Sequence, residues 1–526
     1  MTGWLARIIA IGVVVGALLT SALLFYSSNL APDDAYISLR YSRNLAEGEG
    51  LRYNPGGERV EGFSSPLHVL LMGSFIALGA DPLHVSQLSS LFGAVVCVAA
   101  AAWWGQRRLG FWWGNLAALA LALNPSVGNW SRGGLETTIF MALVLLAMIA
   151  AAEARWKTMA VLAGLLAWSR PEAPLYGLGL FLHALIVCRH LRRPVRSLLR
   201  PALLALAVPL PWLVFRVLYF QDILPNTYYA KMDGVRTAQT ERGLAYLGDF
   251  VTRAEILVPL LLIALALLVG GFRRRSWPLL LTAWPAIAAL LVGAAVVFVV
   301  LAGGDHMNHF RFLLPTIPLL MLAGAKAASS LARTPGRRPL QLAAAVVLGV
   351  VFISQPVRIA SHDLRHPTRD RDRPLGIVEP FDDLPVPRFY RLGAALKELV
   401  ADDTVVAIVP AGALPYASGL TTIDMLGLND RLIAKQPGTA MGTGRMGHEK
   451  GDGSLVLERR PDLILMRHHV NPDPDLAALP DSSDLFYTPI REIWEMDSFR
   501  RDYEPYVVKI SADVGYTFYR RKADDS

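Results

Sequence analysis

The chain has 526 residues, 53% hydrophobic and only 18% charged, with a mean hydropathy of +0.38; an ordinary soluble domain carries about 25% charged residues, so this is an integral membrane protein. A formal net charge of +8 and a pI near 9.5 would suit a nucleic-acid binder, but the arginines sit in short runs between apolar spans, the pattern of inner-side loops. The two cysteines, Cys97 and Cys188, lie within or at the ends of those spans, which excludes a disulfide framework and a cysteine metal site.

In chain order, Trp4 to Tyr26 is an apolar run with Arg7 near its start and no cleavage motif. At about 1.5 Å per residue it is long enough to cross a bilayer, and it reads as a retained first helix with its amino end inside. The polar stretch Asp33 to Pro66 follows, with two adjacent carboxylates close to a membrane helix end. It is the candidate active-site loop. Leu67 to Ala80 is apolar but about 14 residues long, short for a span, and charge parity between the flanking loops makes it a helix lying in the outer interface. Spans then follow at Val85 to Trp104, Phe111 to Val127, Thr137 to Ala152, Thr158 to Trp168, Pro171 to Val187, Ala202 to Phe220, Ile256 to Gly271, Trp277 to Leu301, Phe312 to Ala327 and Leu340 to Ile353. Every basic cluster then falls on the inner side, with about eleven crossings and the carboxyl end outside.

From about Arg358 the composition is that of a soluble domain. The expected organisation is a transmembrane part over 1–356 containing a first extracytoplasmic loop at 28–66, a linker at 357–387 and a soluble α/β domain at 388–526. A helix at Tyr390 to Val400 precedes strands at Thr404 to Pro410, from Thr421 and from Asp462, and two more from Tyr506 and Tyr516 close the sheet.

The chemistry concentrates in the loops. Asp33 and Asp34 open a helix from Ala35 to Ala46; one of them serves as its N-cap, leaving the other for an acid, base or metal role. Arg40 and Arg43 lie one turn apart on that helix and suit a phosphate or lipid headgroups. Tyr53 to Gly57 (YNPGG) is a turn whose Pro and Gly shape the loop. Glu61, beside Gly62, is a second carboxylate candidate, ahead of Glu58. Lys231 closes LPNTYYAK behind Tyr228 and Tyr229, placed to hold a phosphate or to snorkel at the interface. Arg170 is costly at membrane depth unless paired, and Glu172 is its nearest partner. Asp305, His306 and His309 form a D-H-x-x-H pattern, a weak metal signal against a hydrogen-bonded loop.

These stretches together resemble the C-type glycosyltransferase superfamily (GT-C), and within it the bacterial branch of the mycobacterial terminal arabinofuranosyltransferases. The resemblance is carried by DDAYISLRYSRNLAEGEGLRYNPGGERVEGFSSPL, by SRGGLET from Ser131, SRPE from Ser169, LPNTYYAK and GGDHMNHFRFLLP from Gly303, and by ALPYASGLTTIDMLGLNDRLIA and GHEKGD in the soluble domain. It implies a polytopic α-helical enzyme with interfacial helices and an extracytoplasmic α/β domain, seated in a bacterial plasma membrane. It implies transfer of a sugar, arabinofuranose in that branch, from a polyprenyl-phosphate donor to a cell-envelope glycan, lipid or protein. On that reading Asp33 or Asp34 deprotonates the attacking hydroxyl, and Arg40, Arg43, Lys231 and Arg170 stabilise the leaving phosphate. Tyr36, Glu61, Asn226, Tyr228, Glu136, Asp305 and His306 contact substrate. Some members of the superfamily use a divalent metal, Mg or Mn, which leaves Asp305 and its histidines open.

Two other classes fit parts of the sequence. A transporter or flippase of lipid-linked substrates would also gather charge, but near the midplane, whereas these spans are poor in charge and the acids sit in loops. A glycan-binding module on an anchor would need one or two helices rather than many.

Overall fold

A computed structural model describes residues 2–24, 31–232, 236–253, 256–270, 282–307, 309–332, 385–437 and 447–523. The expected span Leu340 to Ile353 and nearly all of the expected linker lie outside these residues. The chain forms two compact units, one of residues 1–29, 86–213 and 240–379, the other of 30–85, 214–239 and 380–526.

Among the described residues six helices are long and apolar enough to cross a membrane: Gly3–Ala22, Pro82–Arg108, Ala173–His190, Val195–Tyr219, Trp284–Ala302 and Leu314–Leu331. Shorter apolar helices add Phe111–Ala122 and Thr137–Ala152. The chain is a multi-pass membrane protein. The expected span Phe111 to Val127 is broken at Asn124, whose side chain accepts from the N–H groups of Ser126 (3.0 Å) and Val127 (3.3 Å) and so starts a second helix, Pro125–Trp130, with proline in its first turn.

Small residues set how closely the membrane helices of the first unit pack. A Cβ on Gly93 would lie 2.5 Å from the backbone nitrogen of Ile139 and 2.7 Å from the carbonyl carbon of Thr138. That contact brings Pro82–Arg108 against Thr137–Ala152, where Thr138 Oγ1 donates to Ser90 O (2.6 Å) and Ser90 Oγ to Leu135 O (2.8 Å).

In the second unit, strands β1 (Val405–Ile408), β2 (Thr421–Asp424), β3 (Leu463–Leu465), β4 (Tyr503–Ser511) and β5 (Val514–Arg521) form one sheet in the order β2-β1-β3-β5-β4. The first three are mutually parallel, with Ala407 opposite both Ile423 and Ile464; β5 runs antiparallel to β3 and to β4. Ala407, Ile423, Ile464, Met466, Ile490, Phe499 and Tyr519 make the core on this sheet. Helix Pro385–Leu399 packs against Ala413–Ser418 closely enough that a Cβ on Gly393 would sit 2.3 Å from Leu414 O. The same unit holds the first-loop helix Asp33–Ala46 and the apolar helix Pro66–Ala77. These two are joined by Ser42 Oγ donating to Val69 O (3.0 Å) and by Gly73 seated against Leu45. Leu71, Phe75 and Leu78 remain exposed.

Replacing Gly93 by valine forces backbone apart at a helix crossing, at a cost of about 1–3 kcal/mol. The expected result is a lower thermal midpoint for the detergent-purified protein; an unchanged midpoint would show that the crossing is looser than described.

Candidate active site

The first-loop helix begins at Asp33 after Pro32, and no side chain caps it. The expectation that one aspartate caps its own helix fails, because both carboxylates already lie inside the first turn. Asp33 instead caps another helix. Its Oδ2 accepts from the N–H of Gly412 (2.8 Å) and its Oδ1 from that of Ala413 (2.8 Å), at the start of Ala413–Ser418. Only glycine fits at 412, since a Cβ there would lie 2.0 Å from Asp33 O. Burial raises the Asp33 carboxyl to about 6 against the pull of the Ala413 N–H, and the neighbouring Asp34 and Asp424 charges add to the rise while the Gly412 N–H opposes it. Asp34 follows in the same turn, half-buried.

The other end of Ala413–Ser418 is held by the cations of the same first-loop helix. Arg40, 1% exposed, donates to Pro415 O through Nη1 and to Leu420 O (2.8 Å) and Asn54 Oδ1 (3.0 Å) through Nη2. Its Nε donates to Tyr53 O (2.7 Å), and the guanidinium lies over the Tyr53 ring. Arg43 donates to Tyr416 O (2.9 Å) and lies over that ring. A short helix thus meets an anion at its amino end and cations at its carboxyl end, the arrangement its dipole favours. Tyr36, buried, packs against Tyr390 (5.9 Å between ring centroids) and Tyr416 (5.5 Å).

The YNPGG turn does more than shape the loop. Tyr53 Oη donates to Ala411 O (2.6 Å), while Asn54 exchanges hydrogen bonds with the backbone of Thr422, 2.9 Å to its O and 3.0 Å from its N. At the end of β2, Asp424 accepts from the N–H of Leu426 (3.0 Å) and from the N–H (2.8 Å) and Nδ2 (2.9 Å) of Asn429; burial raises its carboxyl to about 6. Glu61, 2% exposed, forms a bidentate pair with Arg216, at 2.5 Å to Nε and 2.9 Å to Nη2.

Asn226 starts the helix Asn226–Met232, with its N–H donating to Glu61 O (2.9 Å) and its Nδ2 to Gly427 O (2.8 Å) and Leu428 O (3.0 Å). One turn on, Tyr229 Oη donates to Asp222 Oδ1 (2.7 Å), which also pairs with Lys435 (2.6 Å to Oδ2). Tyr228 is exposed. Lys231, half-buried at the end of this tethered helix, has no hydrogen bond or ion pair among the described residues; Gly447 lies along its stem.

The remaining expected residues belong to the other unit. Arg170 is buried there between Glu136 (2.7 Å, Nη1 to Oε1) and Glu172 (2.5 Å, Nε to Oε1), with Phe312 beneath it. The expected Arg170–Glu172 pair is present, and Glu136 completes it. Asp305 accepts from Arg311 Nε (2.8 Å) and Nη2 (3.2 Å), with His306 Nδ1 3.6 Å away. A guanidinium across both carboxylate oxygens is a poor arrangement for a metal, and no group of three or more His, Cys, Asp or Glu among the described residues could hold one. Sequence reasoning missed Gly412, Ala413 and Arg216. A strand running into Pro410-Ala411-Gly412 and then a helix is the one pattern that points to the first two.

The fold and these residues define a polytopic helical membrane protein carrying a carboxylate-bearing loop helix and an α/β domain. A family model described as a domain of unknown function (DUF8728) matches residues 386–519, and no curated protein matches the chain. Among solved structures, the chain is similar to ArnT from Cupriavidus metallidurans in the apo state, with a TM-score of 0.53 and 12% identity over 98% of each chain. It is equally similar to ArnT from the same organism bound to undecaprenyl phosphate, with a TM-score of 0.53 and 13% identity over 99% of this chain and 98% of that one. The fold expected from the sequence, membrane helices with a carboxyl-terminal sheet domain, is the fold found.

Two outcomes follow from the carboxylates. Asp424 holds its proton more tightly folded, near 6, than at its ordinary 3.8, so its contribution to stability is full below the lower value and is lost as the pH rises through the upper one. Between about pH 4 and pH 7 an Asp424→Asn variant therefore gains stability relative to wild type; a difference in thermal midpoint that does not change with pH would contradict this. Gly412→Ala displaces the Asp33 carboxylate, and protection of the Gly412 and Ala413 amides in hydrogen exchange is expected to fall.

Proposed function

We propose that this chain is a GT-C-type membrane glycosyltransferase that transfers a sugar from a polyprenyl-phosphate donor to a cell-envelope glycan, lipid or protein. The observation that carries the reading is the Asp33 carboxylate. It is fixed by two backbone N–H groups, and burial raises it to about 6, ionised at neutral pH yet close to the value at which a general base works best. Each oxygen accepts one N–H and keeps a second lone pair for a hydroxyl proton. The donor class is supported by the similarity over nearly the whole chain to a structure that holds undecaprenyl phosphate. Arabinofuranose is the first sugar to try, on the sequence resemblance.

In this mechanism Asp33 takes the proton of the acceptor hydroxyl as its oxygen attacks the anomeric carbon. The bond from that carbon to the phosphate oxygen breaks, and the phosphate leaves with the electron pair. Lys231, an ammonium with no hydrogen bond or ion pair among the described residues, is assigned to the charge that develops on the phosphate, on a helix anchored by Asn226 and Tyr229. Arg40 and Arg43 are assigned to positioning rather than to phosphate, because their donors are directed at carbonyls of the segment that Asp33 caps. Glu61 is assigned to holding Arg216. Arg170, Glu136 and Asp305 each have an ion-pair partner within their own unit.

The test is transfer by purified protein from a panel of synthetic polyprenyl-phosphate sugars. Asp33→Asn should lower kcat by about 100-fold or more, with Asp34→Asn retaining more activity. Lys231→Ala should lose activity that Lys231→Arg partly restores. If no donor is consumed while the protein moves a lipid-linked sugar across a bilayer, the transporter reading replaces this one.

A further inference from the structure

One cavity among the described residues is lined by basic side chains. It measures about 800 Å³ and opens in the first unit between the start of the helix Trp156–Ser169 and the segment 194–201. Arg155, Lys157, Arg196 and Arg200 line it, with Trp156 and Leu199 as apolar wall. Arg155 has an ion-pair partner, Glu153 at 3.2 Å. Lys157, Arg196 and Arg200 have no hydrogen bond or ion pair among the described residues. Both helical segments that begin at the cavity, Trp156–Ser169 and Val195–Leu198, start without a side-chain cap. Three cations without an ion pair among the described residues, together with Arg155 and the positive end of a long helix without a side-chain cap, therefore line one concave space. The clustered positive charge and the amino end of the helix Trp156–Ser169 make such a space favourable to an anion.

We infer that this cavity binds a phosphate-bearing anionic headgroup. The shared chemistry belongs to an anionic phospholipid and to a soluble diphosphate, and the surroundings favour the lipid: Leu199, Leu203 and Leu206 are exposed along the apolar span that leads away from the cavity, where an acyl chain would lie. Basic pockets between membrane helices hold such headgroups through the same combination of charge and adjacent apolar surface. The inference is independent of the glycosyl-transfer reading, since it uses none of its residues.

The test is native mass spectrometry of the full chain released from nanodiscs of phosphatidylcholine with and without cardiolipin, with a separate arm in which pyrophosphate is added. Two charge-matched variants are compared, Arg196→Gln with Arg200→Gln inside the cavity and Arg189→Gln with Arg192→Gln on exposed chain nearby. Wild type should retain cardiolipin in preference to phosphatidylcholine. The cavity variant should show occupancy lower by about 10-fold or more, and the neighbouring variant should match wild type. Displacement of the lipid by pyrophosphate, or binding of pyrophosphate alone, keeps the site and makes its natural ligand soluble. Equal losses in both variants, or no preference for cardiolipin and no pyrophosphate bound, would overturn the inference.

Discussion

The second unit depends on the grip of one helix on another. Asp33 meets the amino end of Ala413–Ser418 and Arg40 and Arg43 meet its carboxyl end, so a six-residue helix far too short to persist alone is fixed at both ends by groups whose signs match its dipole. The grip joins residues more than 370 positions apart in sequence. It makes the first loop part of the same compact unit as the sheet, and it sets the orientation of the carboxylate assigned to catalysis.

Removing charge from water is costly, and the chain offsets that cost in two ways. In the first, Arg170 is sandwiched by two glutamates and Asp305 is matched to Arg311, pairs in which each charge has a direct counter-ion. In the second way, Arg40 is satisfied by carbonyl and amide oxygens and an aromatic face rather than by a carboxylate, beside the direct Glu61–Arg216 pair of the same unit. A buried pair that loses one partner leaves the other uncompensated, whereas a cation on several carbonyls loses them one at a time. The first arrangement suits a rigid scaffold and the second a site whose neighbours carry the function.

Much of this fold is legible in the residues. Apolar runs become helices near their expected limits, as at Thr137–Ala152, and all five strands fall where β-branched and aromatic residues alternate with turn signals. The break at Asn124 was legible too, since Asn-Pro is a helix start, but hydropathy smooths over it. What could not be read was who partners whom. Arg40 looks like a phosphate ligand in sequence because nothing local neutralises it; its acceptors, Pro415 and Leu420, are backbone groups with no sequence signature. Asp33 looks like an N-cap for the same reason, since the amides it binds are set by a turn after β1. Glu61 and Arg216, 155 positions apart, are identifiable only once the fold brings them together.

The pH dependence of kcat/KM for sugar transfer tests the central claim most directly, because it reports the protonation of the base in the free enzyme. With Asp33 as that base, activity should fall on the acid side with an apparent pKa near 6, and the Gly412→Ala variant, which disturbs the two amides that hold the carboxylate, should shift that limb. An acid limb near the ordinary carboxylate value, unmoved by Gly412→Ala, would place the base elsewhere.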